Sequence, residues 1–175
     1  MIRKAQSHGR IGEAAVSAKC WMHGIAAYNT GGLRANFAGS DLIIDTDDPR
    51  RKLLIQVKAG FNPRHDIVYL TQCTGAHELH EEKFVSDFVV FVNIDKKVGK
   101  AHQHEGLLDF QHLTYFVLSR VAANQIYSAA IRRDYERPLK TGGVRKLAGM
   151  AVNAPLEEMA RFKDAWHLIK VACVA

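Results

Sequence analysis

The stretch Ser86 to Ile94 (SDFVVFVNI) is the feature that most narrows what this chain can fold into. It is a nearly continuous apolar run, too short for a membrane helix and too apolar for a strand with one wet face. A strand that must be covered on both sides implies a sheet with layers on each face. The elements around it fit that picture. A helix is predicted over about 9–23, with small residues Ala14, Ala15 and Ala18 that permit close approach to a sheet, and Gly24 stops it. A short strand over 25–28 follows, then a turn at Asn29 to Gly32. Asp41–Asp45 and Lys52–Lys58 read as two strands of a hairpin, joined through Asp47, Asp48 and Pro49.

Further on, 67–70 reads as a short strand and 75–83 as a helix. Residues 95–106 read as a polar loop, 113–118 as a strand, and 120–133 as a helix that Pro138 ends. A last helix is expected from Pro155, with Leu156, Met159, Trp166 and Ile169 forming its apolar stripe. Trp21 and Trp166 both read as core residues. The order predicts a mixed α/β fold with one central sheet, in a single domain over 1–175. Its core spans about 9–119, and a helical C-terminal part about 120–175.

The bulk properties exclude several classes. Hydrophobic residues make up 47% and charged residues 24%, which suits a globular domain and not a disordered chain. No apolar stretch reaches membrane-spanning length, and Glu13 and Lys19 interrupt what would be a signal peptide's apolar region. A cytoplasmic protein with no membrane partner is the expectation. Cys20, Cys73 and Cys173 are odd in number and form no CxxC pair, so reduced thiols are expected. The net charge of +6 favours a polyanionic partner, because neutralising phosphates releases counterions.

The hairpin carries the chemistry. Side chains alternate faces along a strand, so Asp41, Ile43 and Asp45 share one face, and Gln56 and Lys58 share a face that Ile55 and Val57 avoid. An amide and an ammonium side by side on so apolar a strand answer neither burial nor β-propensity. If the hairpin pairs, Asp41 converges on Gln56 and Lys58, and the helix before them offers Glu13. Carboxylates and an amide oxygen suit a hard cation such as Mg²⁺. Such a cation polarises a phosphodiester and lowers the pKa of water, with a lysine beside it.

Gly12-Glu13 on a first helix, Ser40-Asp41 opening a strand, and, after fourteen intervening residues, Gln56-Val57-Lys58 resemble the PD-(D/E)xK nuclease superfamily, to which restriction endonucleases and archaeal Holliday-junction resolvases belong. The resemblance covers about Gly9 to Ala59. It implies a restriction-endonuclease-like αβββαβ core, a mixed sheet flanked by helices, with further helices after it. It also implies a Mg²⁺- or Mn²⁺-dependent endonuclease acting on DNA, in which Asp41, Gln56, Glu13 and the Val57 carbonyl hold metal. Lys58 would act on the attacking water. Relatives that cut both strands often dimerise, so a homodimer is among the expectations.

Ser40 replaces the usual proline, and Gln56 replaces the usual acid. The glutamine removes a charge from the metal site, so a nucleic-acid-binding protein with weak or no catalysis on the same fold is the alternative. An unrelated protein matching the motif by chance would leave Asp41 and Lys58 pointing apart. Lys96, Lys97, Lys100, Arg145 and Lys146 are candidates for phosphate contacts. Asp45 reads as capping the turn before Asp47, with an ancillary metal role second. The nine histidines, among them His65, His77, His80, His102 and His104, read as a solvated surface.

Overall fold

The computed structural model describes residues 4–30, 39–62, 66–72, 82–95, 112–136 and 149–175. Helix α1 (Lys4–Met22) is followed by β1 (Ala27–Asn29), β2 (Leu42–Asp45), β3 (Lys52–Asn62) and β4 (Ile67–Gln72). Then come β5 (Phe88–Asp95), β6 (Leu113–Ser119) and helix α2 (Arg120–Glu136). The chain closes with β7 (Ala151–Pro155), the single turn α3 (Leu156–Met159), a 3₁₀ turn (Ala160–Phe162) and α4 (His167–Val174).

Five strands form one mixed sheet in the order β1-β2-β3-β5-β6. The first three make an antiparallel meander, β3 and β5 run parallel, and β6 returns antiparallel to β5. Val89, Val90, Phe91 and Val92 are all fully buried, so β5 is covered on both faces as its apolar run requires. Each such side chain contributes about 1.5–3 kcal/mol by leaving water. On one face, Ala15, Val16 and Cys20 of α1 pack with Leu42, Ile55, Val57 and Val90, joined by Trp166 and Ile169. On the other, Val89, Phe91 and Leu118 pack against Phe84, Tyr127 and Ile131, with Val68, Leu70 and Val152 closing the layer.

Two glycines set how closely layers approach β3. A Cβ on Gly12 would sit 2.4 Å from the Ala59 Cβ, so α1 lies on β3 at a distance only glycine permits. A Cβ on Gly60 would sit 2.4 Å from the Tyr69 ring, which lets β4 settle on the opposite face.

Several elements depart from expectation. The first helix starts earlier, at Lys4, and β3 continues past Lys58 to Asn62. The strand at 67–70 belongs to a separate two-stranded sheet, β4 with β7. That second strand, Ala151–Pro155, was not expected, so the C-terminal part is not purely helical. The last helix is not continuous either. Met159 packs in one core and Trp166 in the other, and no single helix can present residues to both faces of a sheet. Between them the chain bends through Asp164, whose φ is 50°, a left-handed conformation that aspartate tolerates better than most residues. Lys163 forms a lone antiparallel bridge to Phe116 of β6 as it passes. Of the helix expected over 75–83, only Glu82 and Lys83 are described, and they are irregular.

Trp21 is 53% exposed and not a core residue. It lies at the end of α1, its indole Nε1 donating to the Ala27 carbonyl at 3.0 Å and its ring edge-on to Tyr28. An amphipathic indole is satisfied there by one hydrogen bond and one ring contact. Cys20 is buried, and Cys173 is partly buried; both are free thiols, and burial pushes Cys20 up to about 12. Cys73 lies outside the described residues. Among the described residues no helix is long and apolar enough to cross a membrane.

Candidate active site

The β2–β3 register builds the site. Leu42 pairs with Ile55 in an antiparallel ladder, so Asp41, one residue before β2, lies opposite Gln56. Asp41 is fixed by its backbone and its side chain. Its amide donates to the Ile55 carbonyl at 2.8 Å, and its own carbonyl accepts from the Thr30 amide and hydroxyl at 2.9 and 3.0 Å. Its Oδ2 accepts the Val57 N–H at 2.6 Å. The carboxylate thus stands in for a strand carbonyl where the hairpin ladder ends. Charge-assisted bonds of this kind are short and strong.

Gln56 and Lys58 project from β3 on the face away from α1, because Ile55 and Val57 belong to the α1-side core. The Gln56 Oε1 atom is buried and has no hydrogen-bond partner among the described residues. Among the described residues four other side-chain atoms share that condition, on Asn93, Tyr115 and Asn153. Gln56 differs from them in lying opposite a carboxylate and two residues from a half-buried lysine.

Glu13 reaches the site from the other side of the sheet. Gly12 brings α1 against Val57 and Ala59, and the next residue, Glu13, accepts a long 3.5 Å bond from Asn29 Nδ2. Burial raises the Glu13 carboxyl above its usual range and the neighbouring Asp41 adds to the rise, while the Asn29 bond and Arg10 oppose it. Lys58 shows the mirror effect. Burial lowers its ammonium below the usual lysine range, Asp41 pulls it back up, and Lys83 pushes it down again. Asp41 is therefore electrostatically coupled both to Glu13 on one face and to Lys58 on the other.

The structure thus brings Glu13, Asp41, Gln56 and Lys58 to one end of the sheet. Among the described residues no group of three or more histidines, cysteines, aspartates or glutamates is arranged to hold a metal. The donor set here is two carboxylates and one amide. Asp45 is not part of it. It pairs with Lys52 at 2.6 Å at the far end of the hairpin, and Thr46 ties the turn by donating to Asp48 and Arg51 carbonyls. Its expected capping role belongs to Thr46, whose hydroxyl is short enough to reach both carbonyls. Lys96, Lys97, Lys100, Arg145 and Lys146 lie outside the described residues, as do His65, His77, His80, His102 and His104.

Two participants escaped the sequence reading. Lys83 acts on Lys58 across the fold, yet in sequence it resembles any lysine preceding an apolar run. By sequence Asn29 reads only as a turn residue. Its place at the end of β1, paired with Leu42, brings it to Glu13.

The architecture is that of a nuclease-like α/β fold, a mixed central sheet with helices on both faces. A bacterial homing endonuclease, I-Ssp6803I, has a similar fold, with a TM-score of 0.50 and 13% sequence identity, over 95% of this chain and 93% of that one. No protein-family model matches the chain and no curated protein matches it.

Proposed function

We propose that this chain is a metal-dependent endonuclease hydrolysing DNA phosphodiesters, with a PD-(D/E)xK site in its QxK form. The observation that carries this is the buried Gln56 Oε1, opposite Asp41 and without a hydrogen-bond partner among the described residues. An unsatisfied buried acceptor costs about 1–3 kcal/mol, and a hard cation is the ligand that an amide oxygen beside a carboxylate suits. The residues fit such an ion. Asp41, Gln56, the Val57 carbonyl and Glu13 would hold Mg²⁺ or Mn²⁺. When bound, the ion would acidify a water and offset charge on the phosphate.

The chain's own groups do the rest. Asp41 is held by the bond that its Oδ2 accepts from Val57 N–H, which leaves its other oxygen to serve a metal. Lys58 offers Nζ to the attacking water or to the charge growing on the phosphoryl oxygens. Glu13, tied by Asn29, closes the site from the α1 side. The +6 net charge suits a polyanionic substrate. The likeness of fold to a homing endonuclease supports DNA as that substrate.

Plasmid, junction and flap DNA incubated with the protein in Mg²⁺ or Mn²⁺ test the proposal. Cleavage is expected for wild type and not for Lys58→Ala. Equal, metal-independent background from both would sink it. The second reading, a binding protein with little catalysis, is favoured by one observation: the donor set holds only two carboxylates, and burial with Asp41 raises Glu13 towards its neutral form. It predicts salt-sensitive DNA binding with no metal uptake by calorimetry. Light scattering with and without DNA reads whether the active species is a dimer.

A further inference from the structure

We propose that the open groove between α2 and the segment 82–86 holds the sugar–phosphate backbone of the DNA substrate beside the cut, with Arg120 and Arg132 as its phosphate contacts. The inference rests on the nuclease reading above and says where the rest of the substrate strand lies. The groove has a volume of about 590 Å³ and is lined by Arg120, Asn124, Gln125, Ser128 and Arg132 of α2, with Glu82 on the opposite wall. Arg120, Asn124, Ser128 and Arg132 follow one another at four-residue steps, so they form one ridge along the helix. The rise of an α-helix sets the two arginines about 18 Å apart along its axis. That span matches about five phosphates of one strand. Both arginines are exposed, while Tyr127 and Ile131 carry the helix face that packs into the core. The neighbouring Arg133 is committed elsewhere, to Glu158 at 2.8 Å.

The groove is fixed in shape and leads to the candidate active site. Asn124 bonds both backbone groups of Phe84, at 2.9 Å each, which holds the two walls in place relative to one another. Arg120 Nη1 donates to the Val85 carbonyl at 3.5 Å, and the Arg120 N–H donates to the Asp87 carbonyl at 2.9 Å. Between those two residues, the Ser86 hydroxyl donates to the Gly39 carbonyl at 2.8 Å, on the loop that reaches Asp41. The sheet register agrees. Gln56, Val89 and Leu118 are successive partners across β3, β5 and β6, and Asp41 lies opposite Gln56. Three strand spacings put Leu118 roughly 14 Å from Asp41, and α2 starts two residues after it. Helix α2 covers the face of the sheet from which Gln56 and Lys58 project. A strand cut beside Asp41 and Gln56 therefore meets the arginine ridge within a few phosphates. Two guanidinium groups against one carboxylate leave the groove cationic, and Gln125 and Ser128 add neutral hydrogen-bonding groups between them. Guanidinium forks match phosphate oxygens in pairs. Spaced cations hold a backbone without reading its bases. Glu82 repels phosphate, so the strand lies against the α2 wall.

The test uses the full chain with two unrelated DNA duplexes, bound in Ca²⁺ across a salt series and cut in Mg²⁺ or Mn²⁺. Arg120→Ala and Arg132→Ala are each expected to reduce the slope of log affinity against log salt by about one, and the double variant by about two. Each lost contact should weaken binding at about 0.1 M salt by about tenfold, equally on both duplexes. The double Arg→Lys variant should keep the wild-type slope, and Glu82→Gln should tighten binding. Mn²⁺ uptake by calorimetry should match wild type throughout. A double alanine variant with the wild-type melting temperature and the wild-type slope overturns the assignment. So does a loss confined to one duplex, or a lysine double that melts like wild type but loses the slope. Alanine variants that change the mass by light scattering while the slope holds would give the groove to a second copy of the chain, which also overturns it. If wild type cuts no faster than Lys58→Ala while the slope still falls in the arginine variants, the nuclease reading fails and the groove stands as a DNA-binding surface.

Discussion

Gly12→Ala tests the geometry that brings Glu13 to the site. The new Cβ would meet the Ala59 Cβ at 2.4 Å, whereas carbon atoms rest at about 3.5–4.0 Å. Helix α1 must therefore retreat from β3 by roughly 1 Å or a little more. Overpacking of this kind costs about 1–3 kcal/mol. Alanine's better helix propensity returns up to about 1 kcal/mol, so a net loss of roughly 0–2 kcal/mol is expected. Activity should suffer more than stability. Glu13 moves with the helix, and a displacement of about 1 Å in a reacting constellation is on the order of a hundredfold in rate. Urea unfolding gives the first quantity and the cleavage rate the second, with Mn²⁺ affinity as a readout independent of turnover. The double variant Gly12→Ala/Ala59→Gly removes the colliding methyl and should recover both. A coupling energy of about 1 kcal/mol or more is expected for such a contact pair. If Gly12→Ala cuts at the wild-type rate and the cycle shows no coupling, the close approach of α1 to β3 does not position the site.

Three further outcomes follow from the charges and bonds described. Lys58→Met should abolish cleavage yet raise the melting temperature at neutral pH. Burial lowers the Lys58 pKa in the folded chain from the usual 10.5, so the unfolded chain holds that proton more tightly. Stability of the wild type then rises with pH between the lowered value and 10.5, and the advantage of Lys58→Met should shrink over that interval; a constant difference would refute it. Gln56→Glu should lower the melting temperature in chelator, by setting a second carboxylate opposite Asp41, and tighten Mn²⁺ binding by about tenfold through added ligand charge. Unchanged metal affinity by calorimetry would count against a metal role for position 56. Asn124→Ala leaves both backbone groups of Phe84 without their partner and should cost about 1–3 kcal/mol in urea unfolding.

Strand alternation alone put Gln56 beside Lys58 and away from Ile55 and Val57, because period two is a property of the backbone. The apolar run at β5 gave a doubly covered strand for the same reason. Glu13 was harder, since its distance to Asp41 depends on a missing methyl at Gly12 that no periodicity encodes. The anchoring of Phe84 was out of reach, because it comes from an amide forty residues later, Asn124, that bonds both of its backbone groups. The β4–β7 pair joins segments about eighty residues apart, and short strands with weak alternation carry no sign of their partner. The final helix failed for a related reason: its apolar residues serve two cores, and a regular stripe cannot distinguish one face served twice from two faces served once.

The bend at Lys163 and Asp164 has a consequence for the protein's behaviour at high concentration. A sheet ends in strands whose free amides and carbonyls can recruit another chain. At the β6 end, Lys163 occupies that position through its bridge to Phe116, and Asp164 N–H adds a bond to the Tyr115 carbonyl. The strap presents a charged residue instead of an open ladder. At the other end β1 is only three residues long, too short to template a stable addition. A chain with so apolar a central strand is thereby kept from growing sideways into aggregates. Loosening the strap, and not damaging the core, is what should first turn this fold towards them.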